Sequence, residues 1–178
     1  MASSRGIESF DKLANAVARL EANSDTKYKV EIRDSSKVGA EANAASGTII
    51  VSSAAAESLS EEALAFIVAH EQAHLDRTHV DSFNEVTTKV IEGVANALNQ
   101  KDKGAVRRVA EPVFVGVAGA VASSTIRQMA ELDADGQAKG AMQRAHFSAD
   151  EIGRVFDRLP EGGDFSHPST STRRKAIE

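Results

Sequence analysis

An uninterrupted apolar run, Leu64-Ala65-Phe66-Ile67-Val68-Ala69, leads directly into His70-Glu71-Gln72-Ala73-His74. A segment of that length and character reads as a helix, and on a helix each residue turns about 100°, so histidines four residues apart stand about 40° apart. Both imidazoles then face one point. Glu71 follows the first histidine, where its carboxylate reaches a water held by whatever the imidazoles bind. The pattern is H-E-x-x-H, in which two histidines on one helix face bind zinc and the glutamate acts as base. Three fixed positions also recur by chance in unrelated chains. The helical setting gives this match its weight.

The chain has no cysteine, so any zinc must be held by His, Asp or Glu, and there are no disulfides to staple the fold. With 178 residues it reads as a single domain, 1–178, large enough for a continuous core. The formal charge of -5, with acids and bases interspersed, offers no basic stripe for a phosphate backbone and argues against nucleic acid as a partner. The start, Met1-Ala2-Ser3-Ser4-Arg5-Gly6, leads into an amphipathic segment without the apolar core of a signal peptide. That reads as cytoplasmic for a complete chain, and as periplasmic or secreted for one whose signal has been removed.

Ile7, Phe10, Leu13, Ala14, Val17 and Leu20 recur at helical spacing and predict a first helix with one buried face, ending at Asn23-Ser24-Asp25. Tyr28 to Arg33 alternates apolar with charged and predicts a strand whose Tyr28, Val30 and Ile32 face the core. Val38 to Ala44 is expected to be extended, Ser46-Gly47 to be a turn, and Thr48-Ile49-Ile50-Val51-Ser52 to be a short strand. This last strand is either an edge that could hold an extended peptide by strand addition or plain core sheet. Ser60, before Glu61-Glu62, is expected to cap the histidine-bearing helix.

That helix should reach about His79, which lies about 140° around from His74 and cannot join the other two histidines at one metal. It reads as structural or exposed. Phe83, Val86, Val90, Val94 and Leu98 mark a further helix. Pro112 to Ile126 is free of charge but shorter than the about 20 residues a membrane span needs. A buried helix is the better reading, and membrane contact is not favoured. Later, Ser148-Ala149-Asp150-Glu151 is a capping box for a helix through Val155, Phe156 and Leu159. Pro160 to Asp164 reads as a loop, and His146 as a surface histidine.

A zinc site with two histidines needs a third protein ligand. In Arg127-Gln128-Met129-Ala130-Glu131-Leu132-Asp133-Ala134-Asp135, residues Glu131 and Asp135 share a helix face while Asp133 points elsewhere. Acids on a helix commonly form a solvated face, but the histidine pair requires a carboxylate from elsewhere in the fold. Glu131 is therefore the expected ligand. Asp135, one turn on, could accept the N–H of a ligating imidazole and fix its tautomer.

The order of these motifs, from Glu41-Ala42-Asn43-Ala44 and Gly47-Thr48-Ile49-Ile50-Val51 through H-E-x-x-H and Glu131-Leu132-Asp133-Ala134-Asp135 to Ser166-His167-Pro168 and Arg173, resembles the gluzincin family of HtpX and the CAAX prenyl endopeptidase. The resemblance spans about residues 38 to 178. It implies a mainly helical α+β zincin-like domain acting as a zinc metalloendopeptidase on protein or peptide substrates, with His70, His74 and Glu131 as the ligands of one Zn2+. Glu71 would be the base, Asp135 would orient a ligand, and His167 would help hold the oxyanion. Asn43, Ile49 and Arg173 would border the cleft. Gln72 stands where that family usually carries an aliphatic residue, and the membrane spans of its best-known members are missing. The competing reading is a metal-binding or inactive regulatory module with the same fold, against which Glu71 argues, since a pure binding site has no use for a base there.

Overall fold

The computed structural model describes residues 4–76, 128–159 and 168–177. Helix α1, Ser4–Glu21, buries Leu13, Ala16 and Leu20, with Val17 half-buried beside them. The stripe is shorter and rotated relative to the sequence expectation: Phe10 is 58% exposed and Ala14 is exposed, whereas Ala16 is fully covered. The covered face of α1 packs chiefly against α3 and α2.

Strands β1 (Lys29–Arg33), β2 (Ala40–Asn43) and β3 (Thr48–Ser52) form one sheet in the order β1-β3-β2. In β1 the alternation holds as predicted, with Tyr28, Val30 and Ile32 turned to the core. The turn after β2 is fixed by Asn43, whose Oδ1 accepts from the amides of Ala45 (3.1 Å) and Ser46 (3.3 Å). It closes on Gly47 at φ 61°, a conformation glycine adopts without strain. β3 pairs parallel with β1 and antiparallel with β2, and each of its residues is buried. Of the two readings of β3, edge or core sheet, this leaves the core sheet. Both sides of its backbone are committed, and Ile49 is fully buried in the core, so it cannot border a peptide cleft. The continuous apolar run Ile49-Ile50-Val51 is what a strand covered on both faces requires. Among the described residues the open edges belong to β1 and β2.

Ser52 ends β3 and starts helix α2 (Ser53–Ser58), its Oγ accepting from the amides of Ala55 (3.0 Å) and Gly39 (3.1 Å). Helix α3, Glu61–Asp76, follows with two acids in its first turn. Ser60 stands at its start, but through its carbonyl, which accepts from Leu64 N at 2.9 Å; its hydroxyl is buried without a partner among the described residues. From Ala63 to His70 every residue of α3 is buried, because α1 packs on one flank, β2 and β3 on another, and later helices on a third. A helix so enclosed needs apolar side chains all round.

Residues 128–144 form helix α4, whose buried positions Glu131, Ala134, Asp135, Ala138 and Met142 lie along one face. It ends in a Schellman motif: Phe147 N donates to Met142 O (3.0 Å) and His146 N to Gln143 O (3.1 Å), with His146 at φ 60°. His146 is exposed, as expected. The capping box of Ser148 and Glu151 opens α5, Ala149–Arg154. The chain then tightens into a 3-10 turn at Val155–Asp157 in place of the longer helix expected. Helix α6, Thr170–Ile177, closes the described chain. The result is a mainly helical α+β domain. His79, the helix from Phe83 to Leu98, the run from Pro112 to Ile126, the loop from Pro160 to Asp164 and His167 lie outside the described residues. Among the described residues no helix is long and apolar enough to cross a membrane.

Candidate metal centre

Helices α3 and α4 run side by side in opposite directions, so His70 meets Asp135 and His74 meets Glu131. His70 Nε2 lies 3.1 Å from His74 Nε2 and 3.2 Å from Glu131 Oε2, and His74 Nε2 lies 3.3 Å from Glu131 Oε1. One ligand atom from each residue falls within 4.8 Å of the others. In a tetrahedral zinc site with bonds of about 2.0–2.1 Å, neighbouring ligand atoms stand about 3.3 Å apart. The two imidazole nitrogens stand close to that value, the two short contacts to Glu131 use its two different oxygens, and the set, two imidazoles and one carboxylate without a thiol, suits such an ion.

The tautomer is arranged from behind. Asp135 is fully buried, and its Oδ1 lies 2.8 Å from His70 Nδ1. Arg173, from α6, donates to the same carboxylate twice: Nε to Oδ2 at 2.8 Å and Nη2 to Oδ1 at 2.6 Å. Burial alone would raise the Asp135 pKa, but the hydrogen bonds from Arg173 and His70 hold it below the usual carboxylate range. An ionised Asp135 can only accept, so Nδ1 of His70 carries a proton, and in the neutral ring that a metal would require Nε2 is left to turn its lone pair toward His74 and Glu131. Burial would lower the pKa of His70, yet Asp135, Glu131 and Glu71 together push it up to about 9. Arg173 is itself seated over two rings, 6.0 Å from the centroid of Phe66 and 5.9 Å from that of Phe156, which meet edge to face at 5.1 Å.

Glu71 occupies the rim between α3 and the sheet. Burial raises its pKa; His70, His74 and a polar contact with the Ala42 backbone pull it back, and the net position stays above the ordinary value. Through Ala42, β2 and not β3 is the strand beside this carboxylate. Asn43 is at the end of β2, occupied with its own turn.

The structure thus brings His70, Glu71, His74, Glu131, Asp135 and Arg173 together, and leaves Ile49 in the core. Sequence reasoning missed the pairing of Arg173 with Asp135, having placed the arginine beside the cleft. The available signal was the need of any deeply buried aspartate for a cationic partner.

An H-E-x-x-H helix, a carboxylate from a second helix and a small sheet alongside define a zincin-like metallopeptidase domain. The family model of peptidase family M48 matches residues 8–178, and the chain belongs to that family. Neither a curated protein nor a solved structure matches it.

Proposed function

We propose that this chain is a zinc-dependent endopeptidase that hydrolyses peptide bonds in proteins or peptides. The observation that carries this reading is the convergence of His70, His74 and Glu131 within 4.8 Å of one another, with Glu71 on the same helix and in contact with the backbone of β2 at Ala42. His70, His74 and Glu131 would hold the ion. When bound, it supplies Lewis-acid polarisation of the scissile carbonyl and makes water a nucleophile near neutral pH. Glu71 takes the proton of the attacking water and delivers it to the leaving amine. Its raised pKa suits both halves of that exchange, since a base too acidic would not hold the proton long enough to pass it on.

Among the described residues β2 has one side without a partner strand, which supports binding of substrate as an added strand near Glu71. Asp135 and Arg173 act behind His70 and hold the imidazole in the tautomer the ion needs. His167, by the resemblance noted above, donates a hydrogen bond to the carbonyl oxygen as negative charge develops there.

The test is a metal analysis of the purified chain, then a casein or peptide-library digest with and without chelator, repeated with Glu71→Gln. The variant should keep its zinc, about one per chain, while chelator-sensitive cleavage falls by at least about 100-fold. Parental turnover in Glu71→Gln would remove the glutamate from the mechanism. A parent that binds zinc and cleaves nothing would favour the regulatory module.

A further inference from the structure

Helix α6 has eight residues and opens on Thr170-Ser171-Thr172, which are weak helix formers. Isolated helices shorter than about 12–15 residues are marginal in water, so α6 owes its form to what it lies on. Its apolar anchorage is thin. Among the described residues its buried positions are Thr170 and Ile177, and only Ile177 is apolar. Polar ties supply the rest. Lys139 Nζ of α4 donates to the Ile177 carbonyl, and Arg174 pairs with Asp157 at the surface. The third tie is of another kind: the Arg173 side chain is 16% exposed and closes on Asp135, which has no exposed surface. Undocking α6 would leave that carboxylate in the core without the arginine that neutralises it, so this pair weighs most in holding the helix down.

The same carboxylate orients His70. Arg173 Nη2 donates to Oδ1, the oxygen that faces His70 Nδ1, and Nε donates to Oδ2, so the guanidinium fixes the rotation of the Asp135 side chain. Phe66, one turn before His70 on α3, and Phe156 of the 3-10 turn lie under the guanidinium. One side chain of α6 thus meets both the histidine-bearing helix and the group that aims its first histidine. The seating of α6 and the aim of His70 depend on one another, and linkage makes that dependence reciprocal.

We propose that metal binding at His70, His74 and Glu131 and the docking of α6 are coupled, so that the C-terminal helix is a latch whose release lowers the affinity for the ion. The proposal rests on the metal-site reading above and adds to it a means of control from behind the site.

The experiment uses the full chain and two readouts. Zinc affinity is measured by competition with a chromophoric chelator for the parent, for Ile177→Ala, which removes the apolar anchor one turn beyond Arg173, and for Ile32→Ala, which truncates a side chain packed on the core from β1. Hydrogen exchange of the α6 amides is followed in zinc-loaded and chelated parent at times before the β1 amides exchange, so that local opening alone is read. Ile177→Ala should bind zinc at least about 5-fold more weakly, Ile32→Ala should bind it as the parent does, and zinc should slow the α6 amides at least about 5-fold. Parental affinity in Ile177→Ala, or α6 exchange unchanged by zinc, overturns the coupling and leaves the metal site standing. An equal loss of affinity in both variants also overturns it, being the mark of general destabilisation. A parent that binds no zinc overturns the metal-site reading and this proposal with it. Should Ile177→Ala fail to fold, the exchange measurement on the parent decides alone.

Discussion

A carboxylate with no exposed surface is tolerated only when cationic or hydrogen-bonding groups take up its oxygens, and Asp135 meets that demand with His70 on one side and Arg173 on the other. Asp135→Asn keeps the shape and changes the chemistry. The amide can donate toward Nδ1, which favours the wrong tautomer of His70, and it leaves the Arg173 guanidinium without its counter-charge. Zinc affinity should fall by about 10- to 100-fold in a competition titration. Thermal or denaturant unfolding should report a loss of about 3–5 kcal/mol, as expected when one partner of a buried pair is removed. Parental affinity in this variant would show that His70 is oriented by something else. The meeting of His70 with Asp135 was legible because both lie in patterns with helical spacing. The seat of Arg173 was not, since it is 38 residues from Asp135 with no periodicity linking them.

Two serines show how the same residue type at the same kind of position can differ in effect. Ser52 and Ser60 both precede helices, but the Ser52 hydroxyl accepts two amides, those of Ala55 and Gly39, while the Ser60 hydroxyl is buried and unpartnered. Ser52→Ala should therefore cost about 1–2 kcal/mol. Ser60→Ala should be neutral or mildly stabilising, because it removes a polar group that recovers nothing for its burial. Paired thermal denaturation curves check both, and an equal loss in the two variants would contradict the distinction. Sequence could name each serine as a cap but could not give the rotation of its hydroxyl. The sheet teaches the same lesson. Alternation in Val30 and Ile32 identified a half-buried strand with one wet face but not its place in the sheet, and the unbroken apolar stretch of β3 was compatible with either edge or centre. Strand order depends on contacts between segments far apart in the chain, which local pattern does not encode.

Over the whole molecule, α3, α4 and α6 meet at one polar cluster inside an otherwise apolar core, so the protonation of that cluster bears on the stability of the fold. Against burial, Asp135, Glu131 and Glu71 push the His70 imidazole up to about 9 from an ordinary 6.5. A group whose folded pKa is raised contributes stability in full below its ordinary value and loses it as pH rises through the folded one. Chelator-treated protein should therefore lose thermal stability between pH 6.5 and about 9, and zinc-loaded protein should not, its imidazole being already committed. Asp135 has the opposite sign: its depressed pKa stabilises above the usual carboxylate range and the contribution is lost on acidification. Melting curves across that range, with and without zinc, separate the two, and a flat profile for the chelated chain would refute the assignment to His70.

The ligand pair His74 and Glu131 has a consequence for the topology of the chain. These residues stand on either side of residues 77–127, so an ion shared between them ties off a long loop in a protein that has no cysteine to do so. Such a tie is a removable cross-link. For a loop of roughly 60 residues, constraint of the unfolded chain is worth about 4 kcal/mol by the reckoning used for disulfides. Chelator should then act on this protein as a reductant acts on a disulfide-bonded one, lowering the denaturant midpoint. Glu131→Gln should reproduce that loss with no chelator present, because it unfastens the same loop.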